Sequence, residues 1–235
     1  MRRKRHKNAR PTGDADVSLE RLSGSVAAGL WYDITPNGNN GTPTYPAELA
    51  DFGFNQAYPV NPGWVTLSGL CSANSDSTQA WTICIWSKSN RDPAANSVLC
   101  ATRNPTATST GWTVRDFPST GQPDYMFSVL PSGVNYMNLL PDSIGPNWHF
   151  FALTYEPGVP GTVTGFSDGA QYHTLPDPNG FVASASPMRI MQGAYSAPAP
   201  GNAWQGWLDT FRVYPRVLSA DEILRDYNAG KPAHT

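Results

Sequence analysis

The stretch from Gly206 to Pro232 constrains this chain more than any other. Alternating residues Trp207 to Tyr214 read as a strand, and Pro215 stops it. A short helix with its own punctuation follows. Ser219 caps its first turn, and Glu222, three residues on, completes an S-x-x-E capping box. Leu218, Ile223 and Tyr227 form an apolar stripe, and Gly230 with Pro232 is expected to end the helix. One terminal strand and one small helix close a chain that is otherwise strand-like.

Short strands bounded by Pro, Gly, Asn or Ser are expected at 64–67, 80–88, 97–102, 112–116, 125–130, 147–155, 161–167, 187–193 and 206–214. Such spacing favours two packed antiparallel sheets. No period of 20 to 50 residues repeats, which argues against a solenoid or propeller. At 235 residues, with 40% hydrophobic content and 8 Trp, the chain can bury one sizeable core. Charged residues are only 14%, so Ser, Thr, Asn, Gly and Gln must cover much of the surface.

Several segments carry a resemblance. Asn37-Gly38-Asn39-Asn40-Gly41-Thr42, the strand Trp81-Thr82-Ile83-Cys84-Ile85-Trp86, the strand Trp148-His149-Phe150-Phe151-Ala152-Leu153-Thr154-Tyr155 and the turn Ser167-Asp168-Gly169-Ala170 follow one another in order. Together with the closing strand and helix, they resemble laminin-G-like domains of the concanavalin A-like lectin/glucanase superfamily over roughly residues 28 to 231. The resemblance implies an all-β fold: a two-sheet β-sandwich, or jelly roll, with a short C-terminal helix and an extended N-terminal arm. Residues 1–27 are expected to be a basic arm and docking linker, with 14–27 forming a helical turn or two, and residues 28–235 the sandwich.

The net charge of −2 hides an asymmetry. The first ten residues carry six of the 16 Lys and Arg and no acid; the rest of the chain sets 10 bases against 18 acids. Arg2, Arg3, Lys4, Arg5, His6, Lys7 and Arg10 are therefore read as a partner-docking arm. Its expected partner is an acidic protein surface. The arm lacks the interleaved aromatics of a single-strand binder, which argues against nucleic acid. Residues 11–30 contain acids and no continuous apolar stretch, so no secretory signal is expected. No run approaches the roughly 18 apolar residues of a membrane helix.

Candidate chemistry is sparse. Retaining glycoside hydrolysis uses two carboxyl groups about 5 Å apart, which the superfamily's glucanases carry on an E-x-D-x-x-E strand. Here the four glutamates, Glu20, Glu48, Glu156 and Glu222, form no such pattern, and no enzyme activity is expected. Some laminin-G-like domains hold Ca²⁺ at the rim, for which Asp168 and Asp209 are the conceivable positions. Asp168 has a simpler role before Gly169 in a turn, and neither a metal nor another cofactor is expected. Cys71, Cys84 and Cys100 show no C-x-x-C spacing; a Cys71–Cys100 bridge is the minority alternative to buried thiols. Trp112, Tyr136, Tyr195 and Trp204 lie in or beside Gly- and Pro-rich segments and are candidate sugar-stacking residues.

These readings converge on a non-enzymatic structural protein of a virus particle. The most concrete form is a capsid decoration or cement protein of a bacteriophage on the virion surface. It would dock on the major capsid protein or neighbouring virion subunits, with a homo-oligomer (a trimer favoured) expected. A glycan-binding module is the first alternative and a genome-packaging shell protein the second.

Overall fold

A computed structural model describes residues 15, 17–20, 32–33, 35–39, 41–43, 48–49, 54–55, 65–89, 97–102, 111–117, 124–129, 137–138, 147–177, 180, 182–190 and 206–234. In chain order its strands are β1 (Val17–Glu20), β2 (Tyr32–Asp33), β3 (Gly41–Pro43), β4 (Glu48–Leu49), β5 (Phe54–Asn55), β6 (Val65–Leu67), β7 (Trp81–Ser89) and β8 (Ser97–Ala101). They continue as β9 (Trp112–Phe117), β10 (Asp124–Val129), β11 (Met137–Asn138), β12 (Trp148–Glu156), β13 (Gly161–Ser167), β14 (Ala170–Asp177), β15 (Arg189–Ile190) and β16 (Gly206–Tyr214). One α-helix, α1 (Ala220–Gly230), follows.

Fourteen strands form two seven-stranded sheets, and β4 pairs with β5 separately. The first sheet is ordered β14-β13-β12-β7-β16-β1-β2 and the second β11-β10-β9-β8-β15-β6-β3. Side-chain alternation explains how the sheets stack. On β7, Trp81, Ile83 and Ile85 enter the inter-sheet core, while Cys84 and Trp86 face the other way. On β12, Phe151, Leu153 and Tyr155 point inward, and Phe150 and Ala152 outward. Val65, Leu99, Trp112, Val114 and Ile190 meet them from the second sheet. At the centre, Trp81 stacks on Trp112 (5.0 Å) and on Tyr155 (5.7 Å).

The outer face of the first sheet is apolar as well, and α1 covers it. Leu218, Ile223 and Tyr227 pack over Cys84, Trp86, Phe150, Ala152, Phe166 and Tyr214. Two polar devices fix the connection. Thr82 Oγ1 donates to the Arg216 carbonyl (2.8 Å) and accepts from the Leu218 amide (2.9 Å). Beneath the helix, Asp226 accepts from the Tyr214 hydroxyl (2.9 Å) and faces the buried Arg212 guanidinium (3.5 Å).

The expected capping box is present. Ser219 Oγ accepts from the Glu222 amide (3.3 Å), and Glu222 accepts from the Ser219 amide (2.9 Å). Arg216 adds a two-pronged ion pair to the Glu222 carboxylate (2.7 and 2.9 Å). The Arg216 bonds and the Ser219 amide hold that carboxyl at about 2, below its ordinary value. Since the folded value is the lower one, the stabilisation is complete above the unfolded value near 4.3 and fades as pH falls toward about 2. Glu222→Ala is expected to cost about 1 kcal/mol at neutral pH and much less near pH 2, as read by denaturant melts at both pH values.

One expectation needs correction. Residues 17–20 form a strand rather than a helical turn: Val17, Ser18 and Leu19 pair with Val213, Arg212 and Phe211. The sandwich therefore starts before residue 28, and β1 is one of its strands. Val17 is the reason, because its side chain is fully buried in the inter-sheet core. The helix ends at Gly230 as expected, and that residue keeps right-handed dihedrals (φ −84°, ψ −28°). Its small size matters there, since a Cβ would lie 2.3 Å from Trp86 Nε1. All three cysteines are buried thiols, so the minority alternative of a Cys71–Cys100 bridge falls away, and Cys71 Sγ donates to Asn74 Oδ1 (3.3 Å).

Candidate functional site

Asp168, Asp209, Glu222 and Asp226 are engaged in holding the fold. Asp168 sits with Gly169 at the tip of the β13–β14 hairpin, both at positive φ (50° and 81°). That is the mirror-image two-residue turn whose twist suits antiparallel strands. A Cβ on Gly169 would also lie 2.9 Å from Leu224 and Tyr227, so the tip docks closely on α1. Asp168 accepts from the Phe150 amide and from His149 Nδ1, both at 2.9 Å. Partial burial opposes its charge, but the His149 and Phe150 hydrogen bonds prevail and keep the carboxyl below its ordinary value. Asp209 accepts from the Thr210 amide and pairs with His234 (both 2.9 Å).

Among the described residues no three His, Cys, Asp or Glu side chains are grouped to hold an ion. Burial pushes the Cys84 and Cys100 thiols well above their ordinary range, so neither is primed as a nucleophile. Tyr155 is pushed up to about 12 by burial and by the charge of Asp177, and it acts as a core residue. Among the described residues no helix is long and apolar enough to cross a membrane.

Of the candidate sugar-stacking residues, Trp112 is corrected outright. It is 0% exposed, its ring stacks on Trp81, and its Nε1 donates to the Ala73 carbonyl (2.8 Å). Neighbouring Gly111 gives the segment a loop-like look, but β9 belongs to the second sheet and turns Trp112 inward. Tyr136, Tyr195 and Trp204 lie outside the described residues, as do Arg2, Arg3, Lys4, Arg5, His6, Lys7 and Arg10.

The surface that could meet a sugar lies on β14, which sequence reasoning did not single out. This strand ends the first sheet, and residues 170–174 are exposed. A bulge interrupts its pairing: Gly165 faces His173 and Phe166 faces Gln171, leaving Tyr172 as the extra residue. Tyr172 is 49% exposed and stands 6.2 Å from the His173 ring. Gln171 Nε2 donates to Thr174 Oγ1 (3.0 Å), which also bonds Thr164 Oγ1 (3.1 Å). A half-exposed aromatic on the same sheet edge as an amide and two hydroxyls supplies groups that can stack on and hydrogen-bond a pyranose. Pattern alone could have flagged Gln171-Tyr172-His173-Thr174 after the Asp-Gly turn, but bulge and edge position appear only in the assembled sheet.

Two facing antiparallel sheets, a covering helix and an exposed polar edge with one aromatic define a lectin-like β-sandwich domain. The chain belongs to the concanavalin A-like lectin/glucanase superfamily, whose laminin-G-type family model matches residues 63–224. No curated protein matches it in sequence. Among solved structures it resembles the botulinum neurotoxin serotype D binding domain (13% identity, TM-score 0.65, covering 92% of this chain and 51% of that one). It is similarly like the neurotoxin DC binding domain in complex with rat synaptotagmin II (12% identity, TM-score 0.62, 92% and 51%). The same domain in complex with SialylT matches at 12% identity and TM-score 0.59, with the same coverage. The chain thus spans about half the length of these neighbours, and the likeness is one of fold.

Proposed function

We propose that this protein is a non-catalytic recognition module whose β14 edge binds a glycan. The observation that carries the reading is the bulged, half-exposed Tyr172 beside Gln171, Thr174 and Thr164. The structural engagement of Asp168, Asp209, Glu222 and Asp226 supports a binding role over hydrolysis. Fold neighbours solved with a protein and with SialylT are in keeping with recognition. On a glycan array the full chain should give signals that Tyr172→Ala lowers by about tenfold, the loss of one aromatic–sugar stack at roughly 1–1.5 kcal/mol. A flat array at high protein concentration, or signals indifferent to Tyr172→Ala, would overturn this reading.

A second reading concerns where the module is carried. The dense basic charge of residues 1–10 on an otherwise acidic chain favours anchoring to a larger assembly. We read that assembly as a virus particle and this chain as a decoration protein on its shell, where many copies would turn weak glycan contacts into firm attachment. Density-gradient sedimentation from the native source should find it with nuclease-resistant particles. Deletion of residues 1–13 should abolish that comigration, and retention would sink the arm's role. Salt-releasable nucleic acid on the purified protein would point instead to a genome-packaging shell.

A further inference from the structure

Beyond α1, a turn over Lys231–Ala233 brings His234 back onto the outer face of the first sheet. Its side chain is only 4% exposed. The imidazole lies flat on Trp86 (4.1 Å between centroids, 1° between planes) and meets the edge of Trp148 at 4.9 Å. Both ring nitrogens are engaged. Nδ1 is 2.8 Å from the Gly230 carbonyl, and Nε2 is 2.9 Å from Asp209 Oδ2. A carbonyl and a carboxylate only accept hydrogen bonds. A neutral imidazole has one N–H and can satisfy only one of them.

We propose that His234 is held as an imidazolium, which makes the segment after α1 a proton-dependent latch over Trp86 and Trp148. The arrangement binds one proton more than a neutral imidazole beside a carboxylate. The aromatic floor suits it, since indole faces attract cations. The carboxylate is aimed by its other oxygen, which accepts from Thr210, a residue held at φ 47° at the bulge of β16. The charged groups around the latch come from each neighbouring element. Asp209 comes from β16; Lys88 on β7 is the register partner of Trp148. Lys231 sits within the latch segment with its ammonium 5.2 Å from the Tyr227 ring. From the hairpin, His149 and Asp168 bond each other.

The sign follows from the extra proton. The latch is complete while the extra proton is bound and weakens as rising pH removes it. Opening it would uncover Trp86 and Trp148, an aromatic surface distinct from the β14 edge. The test is hydrogen exchange of the His234 and Lys231 amides, which bond Lys231 O and Tyr227 O, together with ¹⁵N spectra of the imidazole. At about pH 5 both ring nitrogens should be protonated and both amides protected. Corrected for intrinsic exchange, protection should fall with rising pH by up to about tenfold per pH unit, the slope of one linked proton. His234→Ala should exchange fast with no slope, and Asp209→Asn, which keeps the shape but removes the anion, should also lose the slope. An unprotonated ring nitrogen at the acid end, flat protection in the wild type, or an undiminished slope in either variant would overturn the proposal.

Discussion

Replacing Asp226 with alanine is expected to remove about 3–5 kcal/mol of stability, a large part of what a domain of this kind possesses. Arg212 and Asp226 are both about 5% exposed, between the first sheet and α1. The Asp226 carboxylate also takes the Tyr214 hydroxyl at 2.9 Å. Truncating it removes a buried carboxylate that faces the Arg212 guanidinium and accepts the Tyr214 hydroxyl. Changing both members to apolar residues of similar volume, Arg212→Met with Asp226→Leu, should recover most of the loss, because desolvation of the pair offsets much of its attraction. Chemical denaturation of the two single variants and the double variant gives the coupling directly. A double variant as unstable as Asp226→Ala would mean that packing, not charge, governs this site.

Trp112→Ala should be similarly severe, at about 3–5 kcal/mol. The indole bridges the two sheets by stacking on Trp81, and its loss leaves a central cavity and an unmet Ala73 carbonyl. Trp112→Phe separates the two effects. It retains much of the stack, forfeits the 2.8 Å hydrogen bond, and should cost about 1–2 kcal/mol beyond the smaller contact area. Neither variant should alter glycan recognition at temperatures where it stays folded, whereas Tyr172→Ala should alter recognition and leave the melting temperature nearly unchanged. The reverse outcome would return Trp112 to the binding surface.

The contrast between these two aromatics indicates what a one-dimensional reading can reach. The strand around Trp81, the strand around Leu153, the Asp168-Gly169 turn and the capped helix are local objects. Alternation, a turn dipeptide and an S-x-x-E box specify them without reference to distant residues. Trp112 and Tyr172 each sit on a strand, yet alternation does not say which face another layer will cover. Val17 failed for a related reason. Four residues with mixed polarity look like a linker until β16 offers them a ladder to join.

By itself, then, the sequence determined the longer core strands such as those around Trp81 and Leu153, the closing helix and the superfamily, because each depends on side-chain period and short-range backbone preference. Only the tertiary structure decided which aromatics are core and which are surface, that β1 completes a sheet, and that His234 returns to lie between Trp86 and Asp209. Those outcomes depend on which surfaces meet across long sequence separations. Burial and hydrogen-bond satisfaction are properties of the assembled layers, and no local pattern encodes them.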